Sequence, residues 1–496
     1  MKITAVTYPQ AAQKQTIFLP LMTHHPVHKQ EFFSYLPKSF QDTLAAFAAE
    51  NFHAEEGEIQ SLWFQNGTPH RIVLFGLGDN KKWNERKHPL IARRLVQYAK
   101  KERIKDFAVC LPSDFLKDIK DIFKQFAINA RMAAFDFDIY KEKQKTSRAV
   151  ESIFLGSNAQ AHSALDHAIT EGMIIGEEVN GCRKLANMPG GDMTPDLLSH
   201  EALQVAKRTG MKAHIFDEKK MRQLGMGAIL GVGKGSAEKP RFIILEYLKG
   251  PKNQKPLVLV GKGVTFDTGG LNLKPDQYIY EMHMDMAGGA AVIHGIAAIA
   301  RLKLHINVIG LVPAVENMPS GSSYRPGDQL KSMSGKTIEI LNTDAEGRVI
   351  LADALTYGLR YKPDIMIDLA TLTGAAHVAL GSYCSAIFSN NEELRNHLIE
   401  IGKSSGDYLW PLPLWDEFLA EIKGTFGDLA NTGVKDRYGG ASHGAKFLEQ
   451  FAGATRFAHL DIAPRMTAND SEFLSKGASG VGVRLIAELG EQYPEL

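Results

Sequence analysis

The chain has 496 residues, 44% of them hydrophobic and 23% charged, with a formal net charge of +1. It is too long for one ordinary domain, and its apolar fraction is ample for cores beneath a normal surface. No apolar run reaches membrane-spanning length, the N-terminus lacks a signal-peptide core, and Cys110, Cys182 and Cys384 are too dispersed for a disulfide framework, which fits a reducing cytoplasm.

In chain order, β-prone segments at Arg71 to Gly76 and Phe107 to Leu111 flank a helical pattern from Pro89 to Lys101, giving a small N-terminal α/β unit. A polar, basic run from Lys141 to Arg148 marks a boundary near residues 150 to 160. A short strand at Ile153 to Leu155 and a long helical pattern from about Ala161 to Leu185 follow it. The expected division is residues 1–158, a connecting helix over 159–188, and a larger domain over 189–496. In the latter, strands at Phe242 to Tyr247, Leu257 to Val260, Ile306 to Val312 and Ile365 to Leu369 alternate with helices, as in a mostly parallel central sheet flanked by helices. There is no internal repeat and no low-complexity tract.

Charge divides unevenly. Residues 1 to 150 hold 23 Lys+Arg against 16 Asp+Glu, or +7, and the rest hold 34 against 40, or −6. Lys100, Lys101, Arg103 and Lys105 form the densest basic patch, so DNA or partner binding stands as an alternative function beside any enzymatic one. Such patches are more often solvated helix faces.

Chemistry concentrates in the larger domain. The buried run Leu257 to Val260 exits into Gly261-Lys262-Gly263-Val264-Thr265-Phe266-Asp267-Thr268-Gly269-Gly270, a glycine-rich loop that carries Lys262 and Asp267. Lys274 follows. Asp285 opens a small-residue helix running to about Ala300, and an apolar-flanked carboxylate there needs a cation partner. Further on, Asn342-Thr343-Asp344-Ala345-Glu346-Gly347-Arg348 lies between the β-prone segment Lys336 to Leu341 and a helical pattern over Val349 to Leu359. If the heptapeptide is extended, Asp344, Glu346 and Arg348 share one face. Alone it could equally be a helix cap with Asp344 as the capping residue.

Asp267, Asp285, Asp344 and Glu346 thus offer oxygen ligands, with Lys262, Lys274 and Arg348 around them. Four acids in one pocket repel unless divalent cations neutralise them, the composition of a two-metal hydrolase. None of the 17 histidines falls into a common zinc pattern, and carboxylate ligands suit Mn²⁺ or Mg²⁺ as well as Zn²⁺. Gly231-Val232-Gly233-Lys234-Gly235-Ser236 lacks the glycine spacing and hydroxyl of a phosphate loop, which argues against an ATPase reading.

These motifs together resemble the leucyl (cytosol) aminopeptidase family of dinuclear metallopeptidases. Supporting matches run from Arg183-x-Leu185-x-Asn187-x-Pro189 through Arg325-Pro326-Gly327-Asp328 to Asp368-x-Ala370-Thr371-Leu372-Thr373-Gly374-Ala375 and His459-Leu460-Asp461-Ile462-Ala463. The resemblance spans roughly residues 180 to 490. It implies that Asp267 and Glu346 bridge two ions, that Asp344 completes one site, and that Lys262 with Asp285 completes the other. A ligating lysine must be neutral, so the pocket is expected to depress the pKa of Lys262. Lys274 is expected to polarise the scissile carbonyl. Arg348 is expected to hold a bicarbonate that acts as base toward a metal-bridging water. Met282, Thr371, Gly374, Ala463 and Met466 fall where the family lines its side-chain pocket, an apolar slot for leucine-like residues. Pro464 stands where the family usually has glycine. The implied activity is cytoplasmic hydrolysis of N-terminal residues from peptides by a homohexamer, and the presence of every ligand position argues against a catalytically dead scaffold.

Overall fold

The computed structural model describes residues 1–493 apart from 24, 67, 83, 113–117, 143–148, 159–161 and 435–437. Part of the basic boundary run and the first residues of the expected connecting helix therefore lie outside the described residues. The chain separates into two compact units, Met1–Glu177 with Asp470–Ser475, and Glu178–Asn469 with Lys476–Leu496.

The first unit is built on a six-stranded sheet, parallel except for the antiparallel pairing of Ile59–Asn66 with Thr68–Asp79. Its central strand, Thr16–Thr23, is buried along nearly its whole length, as a strand covered on both faces must be. Phe18 stacks on Phe107 at 4.3 Å between ring centroids. Helices His88–Lys101 and Ile119–Ala133 pack together over this core, and Arg93, buried between them, donates to Asn129 Oδ1 at 2.9 Å. Sequence periodicity located the helix at residue 89 and the two strands flanking it, but not the central strand.

The second unit carries a nine-stranded mixed sheet. Leu257–Gly261, Ile365–Ala370 and Arg456–Asp461 run parallel beside one another at its centre, and nearly every residue in them is buried. Helix Glu346–Gly358 shares an apolar core with Val258, Val260, Ile309, Leu311 and Met366. Helix Ala287–Arg301 packs on the same strands and is buried almost throughout. Its small residues are what allow this: a Cβ on Gly288 would lie 2.0 Å from the Leu369 carbonyl oxygen. Gly289 N–H donates to Lys262 O at 2.7 Å, so the helix start is tied to the strand exit that carries Lys262.

Two local expectations change. The helix after the heptapeptide begins at Glu346 instead of Val349, so Glu346 and Arg348 lie in its first turn and do not share an extended face with Asp344. The residue before it is Ala345, which has no side chain to cap with; Asp344 is not the cap. Asp285 also stands two residues before its helix, at the end of the short 3₁₀ turn Met282–Met284.

Candidate active site

The parallel strands end on one edge, and that edge supplies the site. Lys262 follows Leu257–Gly261, Asp267 ends Gly263–Asp267, and Thr371 follows Ile365–Ala370. The loop after Thr337–Glu339 brings Asp344, and the helix start brings Glu346. Asp267, Asp344 and Glu346 each place a carboxylate oxygen within 4.8 Å of the others.

Two lysines run through the cluster. Lys262 Nζ lies 2.8 Å from both Asp285 Oδ2 and Glu346 Oε1, and also donates to Thr371 O at 2.9 Å. Lys274 Nζ lies 2.8 Å from Asp267 Oδ2 and 2.5 Å from Asp344 Oδ1. Burial alone lowers the affinity of Lys262 for its proton, but Asp285, Glu346 and Asp267 outweigh it and hold the ammonium above its usual range. Lys274 follows the same pattern: burial pulls down, while Asp267, Glu346 and Asp344 lift further. The depression expected for Lys262 therefore requires positive charge beside it; its carboxylate neighbours work the other way. Burial, with Asp267, pushes Asp344 up to about 6 against the pull of Lys274. Burial likewise pushes Asp285 well above the carboxylate range, against Lys262.

These shifts report an electrostatic mismatch: four carboxylates meet only two ammonium groups. Asp285 Oδ2, Asp344 Oδ1 and Glu346 Oε1 are buried, and although a lysine lies near each, none receives a well-directed hydrogen bond. A buried anionic oxygen without a directed donor is costly, and a cation, which needs no hydrogen-bond geometry, satisfies it. The donor set of hard oxygens plus one amine fits divalent cations.

Arg348 stands apart from the carboxylate cluster. Its Nη1 donates to Asn431 O at 2.9 Å, its Nε has no hydrogen-bond partner, and burial lowers its pKa to about 10. Gly444 leaves it room, since a Cβ there would come within 3.2 Å of Nη2.

Two family models match the chain: the catalytic domain of the cytosol aminopeptidase family over residues 180–487, and the N-terminal domain of the same family over 24–144. The chain belongs to the cytosol aminopeptidase family. It is 42% identical over 421 residues to a probable cytosol aminopeptidase of Geobacter sp. (strain M21), covering 84% of this chain and 85% of the relative. A probable cytosol aminopeptidase of Aquifex aeolicus is 40% identical over 445 residues, covering 88% of each. Among solved structures, a tomato leucine aminopeptidase variant superposes with a TM-score of 0.88 at 30% identity, covering 99% of this chain and 96% of its own. A bottromycin maturation enzyme in complex with Mn gives a TM-score of 0.83 at 27% identity, covering 97% and 99%. The protein is thus a metal-dependent aminopeptidase, a peptide hydrolase.

Family membership does not favour the alternative of DNA binding, and the aminopeptidase's basic patch is partly answered by acids. Lys100 pairs with Asp136 at 2.8 Å and Lys105 with Glu151 at 2.7 Å. Among the described residues, no helix is long and apolar enough to cross a membrane.

The five pocket positions fall on three segments of the aminopeptidase. Thr371 is buried and donates from Oγ1 to Asp285 Oδ1 at 2.7 Å, so it touches the carboxylate cluster directly. Gly374 opens helix Gly374–Leu380, which packs against the turn Ala463–Arg465, and Met466 follows that turn. Met282 is half-buried in the turn beside Gly263–Asp267. Asp461, which the sequence showed only as part of a motif and without a role, ties two of these segments: its carboxylate accepts from Leu372 N at 3.1 Å, Ala463 N at 3.2 Å and Thr373 Oγ1 at 2.6 Å. Asn431 was missed in the sequence. Its side chain accepts from Leu341 N at 2.8 Å and donates to Asn342 O at 2.6 Å, pinning the start of the heptapeptide. Asn431 has no charge or spacing that marks it, because it acts on backbone groups that only the fold brings near, and Asp461 shows its role only once the fold sets it against Leu372, Thr373 and Ala463.

Proposed function

We propose that Lys262, Asp267, Asp285, Asp344 and Glu346 hold two divalent cations, Mn²⁺, Zn²⁺ or Mg²⁺, and that the enzyme removes leucine-like N-terminal residues from peptides. The carrying observation is the excess of buried carboxylate oxygens over directed donors around Asp285, Asp344 and Glu346. Bound there, the cations supply Lewis acidity toward water and toward the scissile carbonyl.

The chain's own residues do the rest. Lys274, kept protonated by Asp267, Glu346 and Asp344, offers an ammonium to the carbonyl oxygen as negative charge develops on it. Arg348, with Nη1 fixed on Asn431 O and Nε unoccupied, is assigned to hold bicarbonate, which is a proton acceptor for the attacking water. Met282, Thr371, Gly374, Ala463 and Met466 receive the N-terminal side chain, two flexible thioethers giving an adaptable apolar slot. A Cβ built on Gly374 meets nothing within 4 Å, which supports an open slot there.

We assign catalysis to residues 189–496, with 159–188 as connecting helix and 1–158 as an N-terminal domain, and place the enzyme in the cytoplasm as a homohexamer. Exposed large side chains at Trp410, Trp415, Phe426 and Tyr438 are consistent with faces covered on assembly. The deciding experiment measures bound metal, and activity on a panel of aminoacyl chromogenic substrates, before and after chelation. Loss of activity on chelation with recovery in Mn²⁺ or Zn²⁺, and preference for leucyl over charged substrates, is expected. Full activity in a demetallated sample overturns the metal assignment.

A further inference from the structure

We infer that Asn317 is a positioning residue for the metal centre, selecting which oxygen of Asp267 faces the pocket and locking the loop that carries Asp344 to the same point. The inference rests on the metal assignment above. Asn317 ends strand Asn307–Asn317 and is fully buried. Its side-chain amide donates to Asp267 Oδ1 at 2.8 Å and to Thr343 O at 2.9 Å. One amide group thus joins two ligand-bearing segments that are far apart in sequence.

The placement depends on an irregularity in the sheet. Gly263–Asp267 pairs in parallel with Asn307–Asn317, but the register shifts between Val264 and Phe266, so that Asp267 lies opposite Asn317. A regular ladder would move Asp267 one position along, since Val264 is paired with Val315 before the shift. The extra residue, Thr265, is what brings the carboxylate and the amide together.

The consequence for Asp267 is specific. Oδ1 accepts two N–H groups, from Asn317 Nδ2 and from Gly269 N at 2.8 Å. Oδ2 faces Lys274 Nζ at 2.8 Å, on the side of the other carboxylates. Without the Asn317 amide, Oδ1 keeps one donor and the carboxylate is freer to rotate about its last bond. An aspartate at 317 would set a second anion against Asp267, and a leucine would fill the space with no donor. Groups that hold a metal-ligating carboxylate in this way are worth about 10- to 100-fold in metal affinity or activity. Thr343 O also accepts from Tyr324 Oη at 2.7 Å, so the loop keeps one anchor when Asn317 is replaced, and variants at 317 are expected to fold.

The test uses full-length apoenzyme titrated with Mn²⁺ by calorimetry, for the unaltered protein and for Asn317→Ala, Asn317→Leu and Asn317→Ser, with melting midpoints and kcat and KM at saturating Mn²⁺. Asn317→Ala and Asn317→Leu should bind Mn²⁺ about 10- to 100-fold more weakly, with kcat falling more than KM rises. Asn317→Ser, which keeps a short donor, should recover part of the loss. If Asn317→Leu does not fold, the comparison of Asn317→Ser with the unaltered protein carries the test, and several-fold weaker Mn²⁺ binding is expected. Native Mn²⁺ affinity and kcat in folded variants would overturn the inference, whatever their melting points. An unaltered protein that binds no divalent cation instead removes the metal assignment on which the inference stands.

Discussion

Glu178 and Glu346 are each 1% exposed and lie in the second compact unit, yet their surroundings are opposite in kind. Glu178 Oε1 accepts from Arg208 Nη1 and Arg301 Nη1, both at 2.7 Å, and Oε2 faces Arg208 Nη2 at 2.5 Å and His294 Nδ1 at 2.8 Å. Burial by itself raises its pKa, but the hydrogen bonds from His294, Arg208 and Arg301 outweigh it and hold the carboxyl well below its usual range. Cations outnumber the anion there, and every lone pair is directed at a donor. Around Glu346 the ratio is inverted, with four carboxylates sharing two lysines and three buried oxygens lacking a directed donor. The closed cluster contributes to structure; the cluster short of cations is where we place the chemistry.

The sharpest way to break this contrast is to remove ligands. Asp267→Ala and Glu346→Ala should lose bound metal and lose activity to the detection limit, while remaining folded by circular dichroism. Metal content by plasma emission on the same preparations checks both statements. Lys274→Ala should keep its metals and lower kcat by roughly two to three orders of magnitude, with a smaller rise in KM, since its charge matters most when the carbonyl oxygen becomes anionic. Steady-state kinetics with a leucyl substrate would refute this role if KM rose while kcat held.

Arg348→Ala should cost less. It should retain both metals, and added bicarbonate should stimulate the unaltered enzyme but not this variant; metal loss with an intact bicarbonate response would instead mark Arg348 as a loop brace. On the closed side, Glu178→Ala should leave metal content and kcat unchanged and destabilise the fold, because it leaves the buried His294 ring without its acceptor and the partly exposed Arg208 and Arg301 without their shared anion. Urea unfolding measures that. The smallest effect is its pH dependence. A carboxyl held below its unfolded value of about 4.3 contributes stability that is complete above that pH and lost as pH falls through the folded value. The stability gap between the unaltered protein and Glu178→Gln should therefore narrow as pH drops below about 4.3, and a gap that stays constant to pH 3 would contradict the charged pairing.

Much of the candidate cluster that the structure brings together was legible because its residues are charged and sit at strand exits. Lys262, Asp267 and Lys274 follow a buried apolar run, and the heptapeptide falls between a strand and a helix, so pattern and chemistry agreed. What failed to show was hydrogen-bond architecture. Asn317 and Asn431 act through carbonyls and N–H groups of segments 26 to 89 residues away. Neutral amides have no charge pattern, and the register shift that aligns Asp267 with Asn317 has no composition signal in Val264-Thr265-Phe266. The extended reading of the heptapeptide failed for a related reason: Glu346 and Arg348 are good helix formers, and the helix claimed them. The central strand Thr16–Thr23 escaped because continuous burial erases the alternation by which strands are recognised.

The glycine of Asn342-Thr343-Asp344-Ala345-Glu346-Gly347-Arg348 lies inside the helix, with a negative φ, so flexibility does not explain it. A Cβ on Gly347 would lie 2.6 Å from Lys262 Cε and 2.7 Å from Nζ. The position is therefore an imprint of the lysine, and the two should behave genetically as one locus. Enlarging residue 347 should push the Lys262 ammonium off Asp285 and Glu346 and be relieved when residue 262 is shortened, so Gly347→Ala should destabilise the fold less in a Lys262→Ala background than alone.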